Sequence, residues 1–290
     1  MNIKSTAAGF VRTALCVFAA ASLMTGTAFA DNYGEEAGRE LLYEGGLDLK
    51  RLDLPGDAGK LVTVEAEGLK AKVSMFDIEQ SESGERSFEL IMTTDEGFIG
   101  RKGMGKTAEG DEKTPCGLFK MNTPFGISDL KEGFPNNYLK VDNTHYWNGD
   151  SASPLYNRMV STRDYTDFNR SRSEHLVDYR GYYNYCIDTG YNPEGTGGLG
   201  SAIFLHCSMG INTGGCIAIP ETDMVTALRN YEEGATYILL DVKDGFEKYY
   251  KSVEEEKSES VTESSFEEEA PEKDDAPRVI YAPSASGKND

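Results

Sequence analysis

The sequence predicts a mainly β protein, a single sheet-rich domain carrying one or two packed helices. Three observations point there. Short β-branched and aromatic runs bounded by Gly, Ser and charged turns recur through the middle of the chain, as in "LVTVEAEG", "AKVSMFDI" and "SFELIMTTDEGFIG". Later runs of the same kind are "AIFLHC", "GCIAI" and "TYILLDV". One stretch has a clear helical period: in "PETDMVTALRNYEEG", Met224, Leu228 and Tyr231 fall at i, i+4 and i+7. Pro220 stands near its start, where a missing amide costs little, and Gly234 is the expected stop. A second helix is expected over "SEHLVDYRGYYNY".

The ends differ from the middle. Lys4 and Arg12 precede an apolar run from Thr13 to Met24, then "GTAFA" with small residues at Ala28 and Ala30. This reads as a secretory signal peptide over residues 1–30, cleaved after Ala30. The apolar run is shorter than the roughly 18 residues of a spanning helix, so no integral membrane segment is expected in the mature chain. Residues 31–58 read as a linker and 59–244 as the folded domain. Residues 245–290, with "EEEKSES" and "FEEEAPEKDDAP", have too little apolar content to offset chain entropy and read as a disordered acidic tail. The net charge of −20 argues against nucleic acid as a partner, because phosphate binding needs clustered Lys and Arg.

"GRKGMGKT", residues 100–107, matches the phosphate-binding pattern G-x-x-x-x-G-K-[ST]. That loop must launch a helix at its lysine. Here "AEGDEKTPCGLF" follows, and Gly110, Pro115 and Gly117 forbid one. No nucleotide is expected.

Three histidines and five cysteines narrow the chemistry. His145 lies in a polar aromatic loop and His175 on the expected second helix. His206 closes the apolar run "SAIFLHC", and Cys216 follows a glycine pair ten residues later. No His or Cys pair has zinc-ligand spacing, so no metal is expected from local pattern. Two adjacent strands, one ending at His206 and one beginning at Cys216, would bring imidazole and thiol within hydrogen-bond reach. Gly214 and Gly215 would then let the amides of Gly215 and Cys216 point at one spot, as an oxyanion hole requires. A buried or disulfide-bonded Cys216 is the plainer alternative.

The segment "GSAIFLHCSMGINTGGCIAIPETDM" resembles the active-site segment of the L,D-transpeptidase (YkuD-type) family, with Thr213, Gly214, Gly215 and Cys216 on its Thr-x-Gly-Cys turn. "IGRKGMGKTAEGDEKTPCGLFKM" resembles the family's early segment, and the likeness runs over about residues 61–242. The commonest form of the turn has His where Gly214 stands, and Arg where Ala218 stands. The resemblance implies a secreted or cell-wall enzyme acting on peptidoglycan stem peptides as donor and acceptor, with no cofactor. Cys216 would be the nucleophile, His206 its base, and Thr213 a residue positioning imidazole or substrate. Gly214 would lie against substrate, while Asp111 and Arg101 would give structural support. The expected reaction is a 3→3 cross-link with release of D-alanine. Trimming of tetrapeptide stems by an L,D-carboxypeptidase and a non-catalytic wall-binding role are the alternatives. A Cys207–Cys216 disulfide would block the nucleophile reversibly, whereas Cys116 and Cys186 could pair or stay free.

Overall fold

The computed structural model describes residues 47–252. The expected signal peptide and most of the expected acidic tail lie outside them. The strands are β1 (Lys60–Glu67), β2 (Lys70–Gln80), β3 (Arg86–Phe98), β4 (Gly117–Lys120), β5 (Pro124–Gly126) and β6 (Leu139–Lys140). There follow β7 (His145–Asn148), β8 (Met159–Ser161), β9 (Ser173–His175), β10 (Cys186–Asp188), β11 (Phe204–Cys207) and β12 (Ile217–Ile219). The helix α1 (Glu221–Arg229) and the strand β13 (Thr236–Val242) complete the set. Ten strands form one sheet in the order β4-β13-β1-β2-β3-β12-β11-β10-β5-β6, and β8-β7-β9 form a second. The mainly β class is the observed one.

The best-predicted strands are central because they are apolar on both faces, as strands covered on both sides must be. β1 is buried from Leu61 to Ala66. It runs parallel to β13 and antiparallel to β2. Val62, Val64, Met75, Ile238 and Leu240 turn to a core completed by Met224, Val225 and Leu228 of α1. Leu61, Ile78, Tyr237 and Leu239 turn the other way and pack on Leu47, Leu52, Leu54 and Phe246.

That second layer corrects the domain boundaries. Leu52 bridges to Tyr250, and Phe246 is buried, so residues 47–58 and 245–251 belong to the packed domain rather than to linker and tail. Their few large apolar side chains suffice because the outer face of β1 and β13 needs covering.

Two helix expectations also change. α1 ends at Arg229, where the Asn230 amide caps the last turn, and Tyr231 and Gly234 lie beyond it. Tyr231 instead donates its hydroxyl to the Asn122 carbonyl, and Gly234 takes φ +78° in the turn before β13. Over "SEHLVDYRGYYNY" no α-helix forms. Residues 173–175 pair with β7, and Leu176–Asp178 make a single 3-10 turn. Ladder bonds to β7 and burial of Leu176 override the local pattern. No described helix is long and apolar enough to cross a membrane.

Candidate functional site

β11 and β12 are parallel neighbours, with Leu205 opposite Ile217 and His206 opposite Ala218. Side chains alternate across a strand. Leu205, Cys207, Ile217 and Ile219 therefore enter the core beneath α1. Phe204 and Cys216 join the opposite cluster, which holds Phe125, Trp147 and Tyr183, and His206 shares that face. His206 and Cys216 both line a cleft of about 450 Å³. Thr213, Gly214, Arg101 and Lys106 line it as well, and Glu109, Glu174 and Tyr183 form further wall. A larger concavity of about 720 Å³, around Asp129, Lys131 and Arg180, holds none of the predicted residues. The chemistry of the lining, not the volume, selects the former.

Three segments remote in sequence are tied together at this cleft. Gly100 bridges to Thr213, the Arg101 amide donates to the Thr213 carbonyl, and the Thr213 amide donates to the Ile99 carbonyl. Thr114, fully buried, accepts from the Gly100 amide at 2.9 Å and donates to the Gly215 carbonyl at 2.8 Å. Gly215 has φ +145°, and a Cβ there would lie 2.8 Å from the Lys113 carbonyl oxygen. Only glycine fits. At Gly214 a Cβ would meet nothing within 4 Å, so the turn has room for a side chain there.

The former phosphate-loop motif has a different occupation. Lys106, with 2% of its side chain exposed, pairs with Asp111 at 2.9 Å. Asp111 also accepts from the amides of Thr107, Ala108 and Lys113. Burial alone would push its pKa up. Those three amides and the ammonium instead hold the carboxyl well below the usual carboxylate range. Arg101 pairs with Glu112 at 3.2 Å.

The hydrogen bonds at the nucleophile candidate depart from expectation. Cys216 Sγ donates to the Ala202 carbonyl at 3.1 Å and accepts from the Phe204 amide at 3.3 Å, rather than bonding to His206. His206 Nδ1 donates to the Cys207 carbonyl at 2.9 Å. A ring nitrogen facing a carbonyl must carry the proton, so in the neutral ring Nε2 keeps its lone pair. Burial pushes His206 down to about 4, partly opposed by that carbonyl. Burial, then the charge of Glu174, pushes the Cys216 thiol up to about 12. The resting pair is a neutral thiol and a neutral imidazole.

Thr213 does not reach toward the imidazole. Its hydroxyl accepts from the Gly215 amide at 3.1 Å and donates to the Cys216 carbonyl at 2.6 Å, bracing the turn. The Gly215 amide is thereby occupied, so the expected oxyanion hole is not open in this conformation. Cys207 faces away from Cys216 into the core, with its Sγ 3.6 Å from the Tyr185 carbonyl oxygen, and the two cannot form a disulfide. All four described cysteines are free thiols. His145 and His175 stand on β7 and β9, bonded to Asp142 and to the Asn143 carbonyl, and neither lines the cleft. Among the described residues no group of His, Cys, Asp and Glu could hold a metal ion.

Sequence reasoning passed over Glu109, Glu174 and Tyr183. Glu109 lies inside the "AEGDEKTP" segment already singled out, so position in that motif was a usable signal. Glu174 and Tyr183 sit in the stretch read as a helix, and no spacing rule marks them.

No protein-family model matches the sequence, and no curated protein matches it. Among solved structures the chain is similar to Pgp2 of Campylobacter jejuni, a helical cell shape determining protein. The identity is 16% over 70% of this chain and 54% of that one, with a TM-score of 0.39. A variant of that protein aligns at 17% identity over 78% and 59%, TM-score 0.41. Bd1075 of Bdellovibrio bacteriovorus aligns at 15% over 75% and 59%, TM-score 0.36. The chain spans less than two thirds of each of these proteins. Likeness at this level assigns neither family nor activity.

Proposed function

We propose that this chain is an extracytoplasmic cysteine acyltransferase of the L,D-transpeptidase type, joining peptidoglycan stem peptides. One observation carries the reading. His206 on β11 and Cys216, the residue immediately before the parallel neighbour β12, line one cleft, with Cys216 on a turn held by Thr114. In the proposed reaction the Cys216 thiol gives its proton to His206 Nε2, and the thiolate attacks the carbonyl of the third stem residue. The C–N bond to the terminal D-alanine breaks, and His206 returns the proton to the leaving amine. An acceptor amine then attacks the thioester, loses its proton to His206, and releases the thiolate as a 3→3 cross-link forms. The Cys216 amide serves the oxyanion, and the Gly215 amide joins it once the Thr213 hydroxyl turns away.

The test is mass spectrometry of the mature chain incubated with disaccharide-tetrapeptide, beside Cys216→Ala. Cross-linked dimers and free D-alanine, both absent with the variant, support the proposal. Tripeptide without dimers assigns the same thioester to water, an L,D-carboxypeptidase. Full activity in Cys216→Ala sinks both. A second reading rests on the Cys216 thiol bonding to the Ala202 carbonyl instead of a base. That arrangement favours a non-catalytic wall-binding protein, and unchanged substrate under reducing conditions would select it.

A further inference from the structure

The carbonyl that takes the Cys216 proton belongs to a residue in an uncommon conformation. Ala202 has φ +54°, a left-handed value that a residue with a side chain rarely adopts. Such a value persists only where the surroundings over-determine it. Here the Ala202 amide is held by Asn157, which is 5% exposed. Asn157 Oδ1 accepts from the Ala202 amide at 3.0 Å and from Trp147 Nε1 at 2.9 Å. Its Nδ2 donates to the Tyr191 carbonyl at 2.8 Å and to the Asn192 carbonyl at 3.0 Å. The side-chain amide is saturated, so three of its bonds fix the acceptor that it presents to Ala202.

Cys216 Sγ lies between two groups of opposite effect, both from the segment that enters β11. The Ala202 carbonyl accepts from the thiol and favours the protonated form. The Phe204 amide donates to the sulfur and favours the thiolate. Phe204 is paired to Asp188 within the sheet, which fixes its place. Ala202 lies outside any strand, and its own conformation aims its carbonyl.

Resting on the reading of Cys216 as the nucleophile, we propose that Asn157 is a positioning residue: by holding Ala202 in its left-handed conformation, it keeps the Cys216 proton on the Ala202 carbonyl and off His206. The reaction then begins by breaking that bond, so the Asn157–Ala202 pair sets how readily the thiolate forms. Release of the carbonyl leaves the sulfur with the Phe204 amide and lowers the pKa of the thiol. The charges acting on the sulfur, on Glu174, Lys106 and Asp188, come from other segments and are the same in either state. Tyr179, Tyr183, Cys186 and His206 beside it are neutral at pH 7 in both.

The test is alkylation of the mature chain by iodoacetamide, mapped cysteine by cysteine by mass spectrometry from pH 6 to pH 9. Two variants act on the latch from different sides. Asn157→Gly tolerates the φ of +57° at that position and removes the acceptor. Ala202→Val keeps Asn157 but places a β-branched residue where φ is positive. If the midpoint of the thiol falls by about one pH unit, thiolate rises about tenfold and loses part of its intrinsic nucleophilicity. Labelling of Cys216 at pH 7 should therefore gain about threefold or more in both variants. Cys186 and Cys207, buried in the core, should keep their wild-type rates, because general loosening would speed all three thiols together. Unchanged Cys216 labelling in either variant overturns the proposal, as does a gain shared with Cys186 and Cys207 in both. Turnover of tetrapeptide is read separately in wild type. A selective gain in a chain that processes no tetrapeptide keeps the latch and removes the acyltransferase, and turnover with unchanged labelling does the reverse.

Discussion

Thr114 Oγ1 donates to the carbonyl oxygen of Gly215 at 2.8 Å, joining residues 101 positions apart. The Thr114 hydroxyl oxygen in turn accepts from the Gly100 amide at 2.9 Å. One buried hydroxyl thus locks the early motif to the turn that carries Cys216. Thr114→Val keeps the shape and removes both bonds, leaving a buried amide and carbonyl short of partners. The expected cost is about 2–4 kcal/mol, read as a lower urea midpoint at unchanged slope. A change within 0.5 kcal/mol, roughly the noise of a surface substitution, would show that the lock is dispensable.

Gly214 and Gly215 make a matched pair. Gly215→Ala places a Cβ against the Lys113 carbonyl and the Ile203 side chain at a positive φ. It should cost about 1–3 kcal/mol or more. Gly214→Ala meets open space and should stay within about 0.5 kcal/mol of wild type. Thermal melting of the two variants side by side decides the point, and equal losses would mean that the turn adopts another conformation in solution.

Asp111→Asn leaves the buried Lys106 ammonium without its counter-charge. Breaking one side of such a pair typically costs about 3–5 kcal/mol. Urea unfolding measures it. The Asp111→Asn, Lys106→Met double variant should recover part of the loss, and no recovery would point to the amides of Thr107, Ala108 and Lys113 as the main beneficiaries of Asp111.

The pH dependence of His206 has a definite sign. Folding keeps the imidazole neutral, with its value pushed from 6.5 to about 4, while the unfolded chain takes up the proton below 6.5. Its contribution is therefore full above 6.5 and lost as the pH falls toward 4, on the order of 3 kcal/mol in all. The difference in stability between wild type and His206→Gln, measured from pH 7 to pH 4, should shrink by that amount. A flat difference would place the imidazole in water.

Cys216 gives a complementary readout. With the thiol pushed up to about 12, alkylation of the free protein should be slow at neutral pH and rise steadily with pH. A rate plateau near neutrality would instead reveal a resting thiolate–imidazolium pair.

Much of the fold was legible because the informative segments are buried on both sides. "LVTVEAEG" and "TYILLDV" read as strands because β1 and β13 sit mid-sheet, where apolar continuity is required. The start of α1 was legible from Pro220 and the spacing of Met224 and Leu228. Its end was not, because Tyr231 fits the helical period but is drawn off by Asn122. Residues 173–185 misled for a related reason. Their pattern allows a helix, and only pairing with β7 makes Ser173–His175 a strand.

The sequence by itself determined the β class, the placement of His206 on a strand with Cys216 at the entry to the next, and the absence of a helix after Lys106. Those conclusions depend on local periodicity, turn chemistry and the residues following Lys106, all of which are short-range. Only the tertiary structure decided that Cys207 and Cys216 face opposite sides of the sheet. It also decided that Thr213 braces the turn, and that Glu109 and Glu174 line one cleft with Cys216. Each of these depends on which distant segments share a face, and burial then sets the charge state of what they bring together.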